Sequence, residues 1–271
     1  MLVHPNIDPV AVHLGPLKVH WYGLMYLLGF WGGWWLGCVR GRWPHVNWSK
    51  ERVSDVLFYV VLGVILGGRI GYLLFYSYDA QGRWLPGQDP LTVFRIWEGG
   101  MSFHGGLLGV IVAMGLFARA RGLRFSEVAD FVAVVVPVGL FTGRIGNFIN
   151  GELWGAVTTQ PWGMIFQNAH DNLPHHPSQL YEAALEGLVL FAILWWFGRE
   201  PRPPMAIAGL FLLMYAIFRF AIEFVRLPDT QIGYLYGSSW FTMGMQLCVP
   251  MVVAGLIFLG YAYTRPRATE A

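Results

Sequence analysis

The residues with the most chemical promise are Arg144, Asn147, Asn150 and Glu152, inside Gly-Arg-Ile-Gly-Asn-Phe-Ile-Asn-Gly-Glu-Leu-Trp-Gly at positions 143–155. They close an apolar run that begins at Phe131. Arg144, Asn147 and Asn150 recur at i, i+3 and i+6, so a helix would carry all three on one face. A charged side chain in a bilayer costs at least a few kcal/mol, and such groups usually face a cavity and mark a site. The simpler alternative is a capped helix end with a snorkelling arginine. Snorkelling, however, asks for one long cation and not for two amides and an acid as well.

More groups of the same kind sit in other apolar segments. Arg219 and Glu223 are spaced i, i+4, with Arg226 next along; Glu182 and Glu186 share that spacing; Gln179 precedes them; Arg69 interrupts another run. Arginine's planar fork matches a phosphate through two hydrogen bonds. Amides and hydroxyls such as those of Asn147, Asn150, Gln179 and Tyr22 suit a neutral polar headgroup. His104 lies in Gly-Gly-Met-Ser-Phe-His-Gly-Gly. Its side chain titrates close enough to neutrality to move a proton, and the glycines let backbone or substrate come near. A structural histidine is the competing account.

Other site classes fit less well. Ser102 is not in a G-x-S-x-G elbow, and there is no phosphate-binding P-loop. Asp55 and Asp130 fall near the opposite ends of their spans from these groups. His175 and His176, with Asp171 nearby, are a weak metal candidate without an HExxH; with His170 they read as solvated residues. Neither a metal nor a cofactor is expected.

The segments that must position these groups follow from composition. Of 271 residues, 55% are hydrophobic and 13% charged, and the mean hydropathy is +0.48. A soluble domain carries about 25% charged residues, so this chain is expected to be an all-α polytopic membrane protein. Thirteen Trp and twelve Tyr suit many water–lipid boundaries. A net charge of +2 without a long basic run makes nucleic acid a poor partner. Cys38 and Cys248 lie in apolar stretches and offer neither a disulfide framework nor a CxxC site.

Seven spans are expected, at about 19–39, 54–76, 101–118, 127–149, 177–198, 205–225 and 239–263, each long enough for a hydrocarbon core of ~30 Å. The first lacks a basic leader and reads as a retained span. Its Gly29, Gly33 and Gly37 form a small-residue face for helix packing. Residues 1–17 form a short arm, and 150–176 form a small extramembrane cap with little regular structure. Pro137 predicts a kink in the fourth span.

Basic residues set the orientation. Arg40, Arg42, Lys50, Arg52, Arg119, Arg121, Arg124, Arg199, Arg202, Arg265 and Arg267 fall on one side; Lys18, Arg83, Arg95 and Arg226 fall on the other. Eleven against four puts the N-terminus outside and the C-terminus in the cytoplasm. His20, Tyr22, Arg69, His104, Arg144, Asn147, Asn150, Gln179, Glu182, Arg219, Glu223 and Arg226 then all lie in the outer half. They predict an outward-facing polar cavity that takes an anionic lipid headgroup. Gly-Arg-Ile-Gly occurs at 68–71 and again at 143–146. The two copies are either a faint parallel repeat, with both arginines facing that cavity, or a chance recurrence.

The 143–155 stretch resembles the signature of the bacterial prolipoprotein diacylglyceryl transferases. So, in the family's order, do His20-Trp-Tyr-Gly-Leu-Met-Tyr26, Gly67–Tyr72, Gly99–Gly106, His176-Pro-Ser-Gln-Leu-Tyr-Glu182 and Phe218–Asp229. The resemblance covers essentially the whole chain. It implies transfer of the diacylglyceryl group of phosphatidylglycerol to the lipobox cysteine of a prolipoprotein signal peptide, in the bacterial inner membrane. The product is a thioether, and glycerol phosphate leaves. It further implies that His104 is a candidate base for the thiol and that Arg144 and Arg219 hold the phosphate. Asn147, Glu152 and Gly155 match the signature, and Tyr22 matches a tyrosine near the family's N-terminus. Arg69, Glu223, Arg226, Asn150 and Gln179 complete the expected binding set. A flippase or lipid-binding transporter is the other reading; it needs access to both leaflets, which the one-sided polar groups disfavour. A structural assembly subunit would leave the cost of so many buried charges unexplained.

Overall fold

Among the described residues the chain forms seven long helices: α1 (Trp21–Gly41), α2 (Lys50–Phe75), α3 (Phe103–Ala120), α4 (Phe125–Ile149), α5 (Ser178–Phe197), α6 (Ala206–Glu223) and α7 (Met243–Thr264). In this computed structural model the described residues are 2–15, 17–78, 84, 86, 89–95, 99–228 and 233–264. Arg83, Asp229, Arg265 and Arg267, which enter the motif and charge readings, lie outside them. Helices α2 to α7 are long and apolar enough to cross a bilayer. The first is equally long, but its Trp, Tyr and Gly content lowers its hydropathy. Large apolar side chains on the helices, Leu66, Leu108 and Ile257 among them, are exposed, as a lipid-facing surface requires. The chain is a helical membrane protein.

Two compact units divide it. One comprises 40–42 and 46–129 and is built on α2 and α3. Ser49 caps α2 by accepting from the Arg52 N–H at 3.2 Å, and Ser102 caps α3 by accepting from the Gly105 N–H at 3.2 Å. The two helices touch backbone to backbone. A Cβ on Gly67 would stand 2.4 Å from the Gly105 carbonyl oxygen, and one on Gly105 would stand 2.3 Å from that of Gly67. Only a small-residue face allows such an approach. Asp55 pairs with Arg121 at the far end of this unit.

The other unit comprises 1–39, 43–45 and 130–271. Strands β2 (Val10–Leu14) and β3 (Leu17–His20) form an antiparallel hairpin that leads into α1. Gly29, from the expected small-residue face of α1, packs on α4: a Cβ there would meet Thr142 Oγ1 at 2.6 Å. Pro137 lies inside α4, which continues past it. Asp130 caps α6, accepting from the N–H groups of Met205 and Ala208 at 2.7 and 2.8 Å.

Residues 1–17 form a short arm and 150–176 hold little regular structure, as the sequence predicts, but the two segments are not independent. Strand β1 (Leu2–Val3) pairs in parallel with β4 (Met164–Ile165), which pairs with β5 (Pro174–His175). His4 fixes the arm further, with Nε2 2.7 Å from the Phe148 carbonyl oxygen and its ring stacked on Phe166. His175, expected to be solvated, is buried. Its Nδ1 lies 2.8 Å from the Gly155 carbonyl oxygen and its Nε2 2.9 Å from Asp171. His170 is exposed, as expected.

Candidate functional site

Helix α5 brings Glu182 into the interior of the second unit, where its side chain is 1% exposed. Three arginines converge on this carboxylate. Arg144 of α4 reaches it through Nε at 2.5 Å, Arg219 of α6 through Nη1 at 3.0 Å, and Arg226, just past α6, through Nη1 at 2.5 Å. Glu223 holds the same side of the cluster. It pairs with Arg219 Nη2 at 2.5 Å and Arg226 Nε at 3.2 Å, and accepts from the Thr242 hydroxyl at 2.5 Å. Glu186, one turn beyond Glu182, is fully buried, with Arg219 Nη1 3.9 Å away.

Arg219 is an i, i+4 partner of Glu223 and is also shared with α5 through Glu182. Arginines 144, 219 and 226 balance Glu182, Glu186 and Glu223 in number. Breaking one partner out of such a buried pair typically costs about 3–5 kcal/mol, because the other charge is stranded. The cluster therefore locks α4, α5 and α6 together while holding three guanidinium forks close to each other.

Beside it lies a polar shelf at the end of α4. Arg144 Nη1 stands 3.5 Å from Asn147 Oδ1, and the amides of Asn147 and Asn150 both donate to Glu152, at 2.9 and 3.1 Å. Asn150 lies in the turn after α4, so the shared helix face carries Arg144 and Asn147 and the turn supplies the third group. Gln179 is wholly buried and donates to the Glu152 carbonyl at 2.6 Å. Tyr22 packs on Gly146, where a Cβ would meet its ring at 3.0 Å, and its hydroxyl is 3.2 Å from that of Tyr26. Gly155 accepts no side chain: its Cβ would stand 2.3 Å from the Val225 carbonyl oxygen. That contact ties the segment after the shelf to the residue preceding Arg226.

The remaining two expected residues belong to the unit built on α2 and α3. His104 lies in the first turn of α3, exposed, its ring 5.7 Å from that of Phe103. Arg69 departs from expectation. It is 6% exposed and donates to the carbonyls of Val93, Gly99, Gly100, Thr92 and Arg95. All five N–H groups of a guanidinium are thereby used, so Arg69 organises residues 92–95, 99 and 100 and has no donor to spare for a ligand. The two Gly-Arg-Ile-Gly copies thus do different work.

The family model described as prolipoprotein diacylglyceryl transferase matches residues 9–261. The chain belongs to this family. It is 56% identical to the phosphatidylglycerol–prolipoprotein diacylglyceryl transferase of Azotobacter vinelandii over 265 residues, 98% of each chain. The enzyme of the same name from Methylococcus capsulatus is 56% identical over 269 residues, 99% of this chain and all of the relative. That of Nitratidesulfovibrio vulgaris is 57% identical over 259 residues, 96% of each.

For a prolipoprotein diacylglyceryl transferase, the residue that sequence reading undervalued is Glu182. It appeared as one of two carboxylates at i, i+4 in an apolar span, and that was the available signal. Its partners come from two other helices, which spacing within α5 cannot reveal. Thr242, bound to Glu223, left no signal at all.

Proposed function

We propose that the chain transfers the diacylglyceryl group of phosphatidylglycerol to the lipobox cysteine of a prolipoprotein signal peptide, in the inner membrane of a bacterium. The observation that carries this reading is the gathering of Arg144, Arg219 and Arg226 on Glu182 among membrane-spanning helices. The cysteine sulfur attacks the glycerol carbon that bears the phosphate. A C–S bond forms, the C–O bond breaks, and glycerol phosphate departs. Thiolate is the reactive form of sulfur, and His104 accepts the thiol proton.

Charge grows on the phosphate oxygen as the C–O bond lengthens. Arg144 and Arg219 meet that charge with fixed guanidinium forks, the kind of preorganised donor that favours the transition state over the ground state. Asn147, Asn150, Glu152 and Tyr22 hold the hydroxyls of the headgroup, and Glu223 and Arg226 keep the forks in place. The basic-residue asymmetry supports an outward N-terminus, a cytoplasmic C-terminus and a periplasmic cap at 150–176.

The test is to incubate the purified protein with phosphatidylglycerol and a lipobox peptide and weigh the peptide. A gain of one diacylglyceryl group, absent when the peptide cysteine is replaced by serine, is expected. A peptide of unchanged mass, with lipid moved between leaflets, would favour a transporter instead.

A further inference from the structure

Glu186 has no part in the chemistry above, and its surroundings are unusual. It lies in the stretch Ala183–Val189 of α5, where the helix widens to π-helical pairing, a local form often found at functional sites. The residue is 0% exposed. Among the described residues neither carboxylate oxygen has a hydrogen-bond partner, and the one cation within 4 Å is Arg219, at 3.9 Å. Glu182 and Glu223, by contrast, each have a guanidinium nitrogen at 2.5 Å. The other charged and titratable groups around Glu186 are Glu182 on its own helix, Arg144 on α4, Tyr215 on α6, Arg226 after α6 and Cys248 on α7.

Charge balance gives this carboxylate a task. With every group ionised, three guanidiniums face Glu182, Glu186 and Glu223, and Glu152 adds a fourth carboxylate held by Asn147 and Asn150. A phosphodiester brings one more negative charge. Uncompensated charge in a low-dielectric interior is costly, and a proton on one carboxylate removes it. Glu182 is gripped by three arginines, and Glu223 by two and by Thr242. The least-held carboxylate is Glu186.

We propose that Glu186 takes up a proton from solvent when the anionic phosphate docks on Arg144 and Arg219, and returns it when glycerol phosphate leaves. This rests on the phosphate-clamp reading given above. Glu186 acts through the arginines and is a positioning residue for charge, not a group that touches the reacting atoms.

Titration calorimetry tests it. The full-length protein in detergent is titrated with phosphatidylglycerol in two buffers of different ionisation heat. Wild type should take up close to one proton per lipid, and its affinity should fall with rising pH, by up to roughly tenfold per unit, since proton uptake on binding favours the lower pH. Glu186→Gln fixes the neutral form: uptake should vanish and affinity should become flat with pH. Glu186→Asp keeps a carboxyl and should keep the uptake. No uptake by wild type, or the same uptake in Glu186→Gln, would overturn the assignment. If Glu186→Gln fails to insert, wild type and Glu186→Asp still decide, since a wild type or an aspartate variant without uptake overturns it. The clamp fails separately. Wild-type turnover in lysine variants of Arg144 and Arg219 would sink the clamp, whereas uptake persisting in Glu186→Gln sinks only the proton site.

Discussion

Gly155 and Val225 meet with no room between them: a Cβ on Gly155 would lie 2.3 Å from the Val225 carbonyl oxygen, and that same oxygen accepts the Ala156 N–H at 2.8 Å. Val225 is followed at once by Arg226, one of the three arginines on Glu182. Gly155→Ala must therefore push the 225–226 backbone away and draw Arg226 from its carboxylates. The variant should fold and insert, yet lose transfer activity by about 10²-fold, the scale of a misplacement of around 1 Å in a catalytic constellation. Gly115→Ala, a helix position with open space around it, should be silent in the same peptide-mass assay. Equal rates for the two variants would refute the coupling.

Arg69 offers a stability test. Its guanidinium satisfies five carbonyls between 92 and 100. Lysine has three donors on a single nitrogen and cannot reach them all, and each part-buried hydrogen bond to the charged fork that is lost costs about 1.5–3 kcal/mol. Arg69→Lys should lower the unfolding midpoint of the purified protein and open residues 92–100 to protease, while the affinity for phosphatidylglycerol in the surviving fraction stays near wild type. A selective loss of lipid binding with unchanged stability would return Arg69 to the ligand.

How much of this could be read beforehand depends on the range of the interaction. The helices follow from long apolar runs, and their ends fall within a few residues of expectation: 54–76 became Lys50–Phe75 once Ser49 supplied the cap, and 177–198 became Ser178–Phe197. Candidate polar groups were legible because charge in an apolar run is conspicuous. Partners were not. Arg69 and Arg144 share the same four-residue context, yet one finds loop carbonyls and the other Glu182. Strand β1 is two residues long, and its partner β4 is over 160 positions away, so neither period nor turn chemistry announces the pairing. The π-helical stretch at Glu186 has no proline, and its single glycine, Gly187, does not by spacing announce the widening.

Membrane orientation rests on eleven basic residues facing four. A reporter active only in the cytoplasm should work when fused after Thr264 and stay silent when inserted near Asn168. The opposite pattern would invert the map and place the arginine cluster in the inner leaflet.

His104 is expected to accept the thiol proton. Glutamine keeps the size and a hydrogen bond but cannot act as a base. His104→Gln should reduce turnover by roughly 10²–10⁴, the usual contribution of general acid–base catalysis. Raising the pH, which ionises the peptide thiol without help, should restore part of the loss. Full activity at neutral pH would leave His104 as an exposed residue at the start of α3 with no chemical role.

The arginine clamp makes the sharpest demand on geometry. Arg144 and Arg219 approach the two oxygens of Glu182 separately, Arg144 at Oε2 and Arg219 at Oε1. A cation needed only to neutralise Glu182 and Glu223 could be lysine. A fork that must hold carboxylate and phosphate in turn could not, because lysine offers a point charge in place of two parallel donors. Arg144→Lys and Arg219→Lys should both insert, with modest loss of stability, and lose most transfer activity. The loss should fall on kcat more than on lipid affinity, since the charge on the leaving phosphate grows only in the transition state. Glu182→Gln supplies the contrast. It leaves both forks in place but removes the charge that gathers them, so it should weaken folding more than the lysine variants do. Near-wild-type kcat in both lysine variants would reduce Arg144 and Arg219 to ion pairs that hold α4, α5 and α6 together.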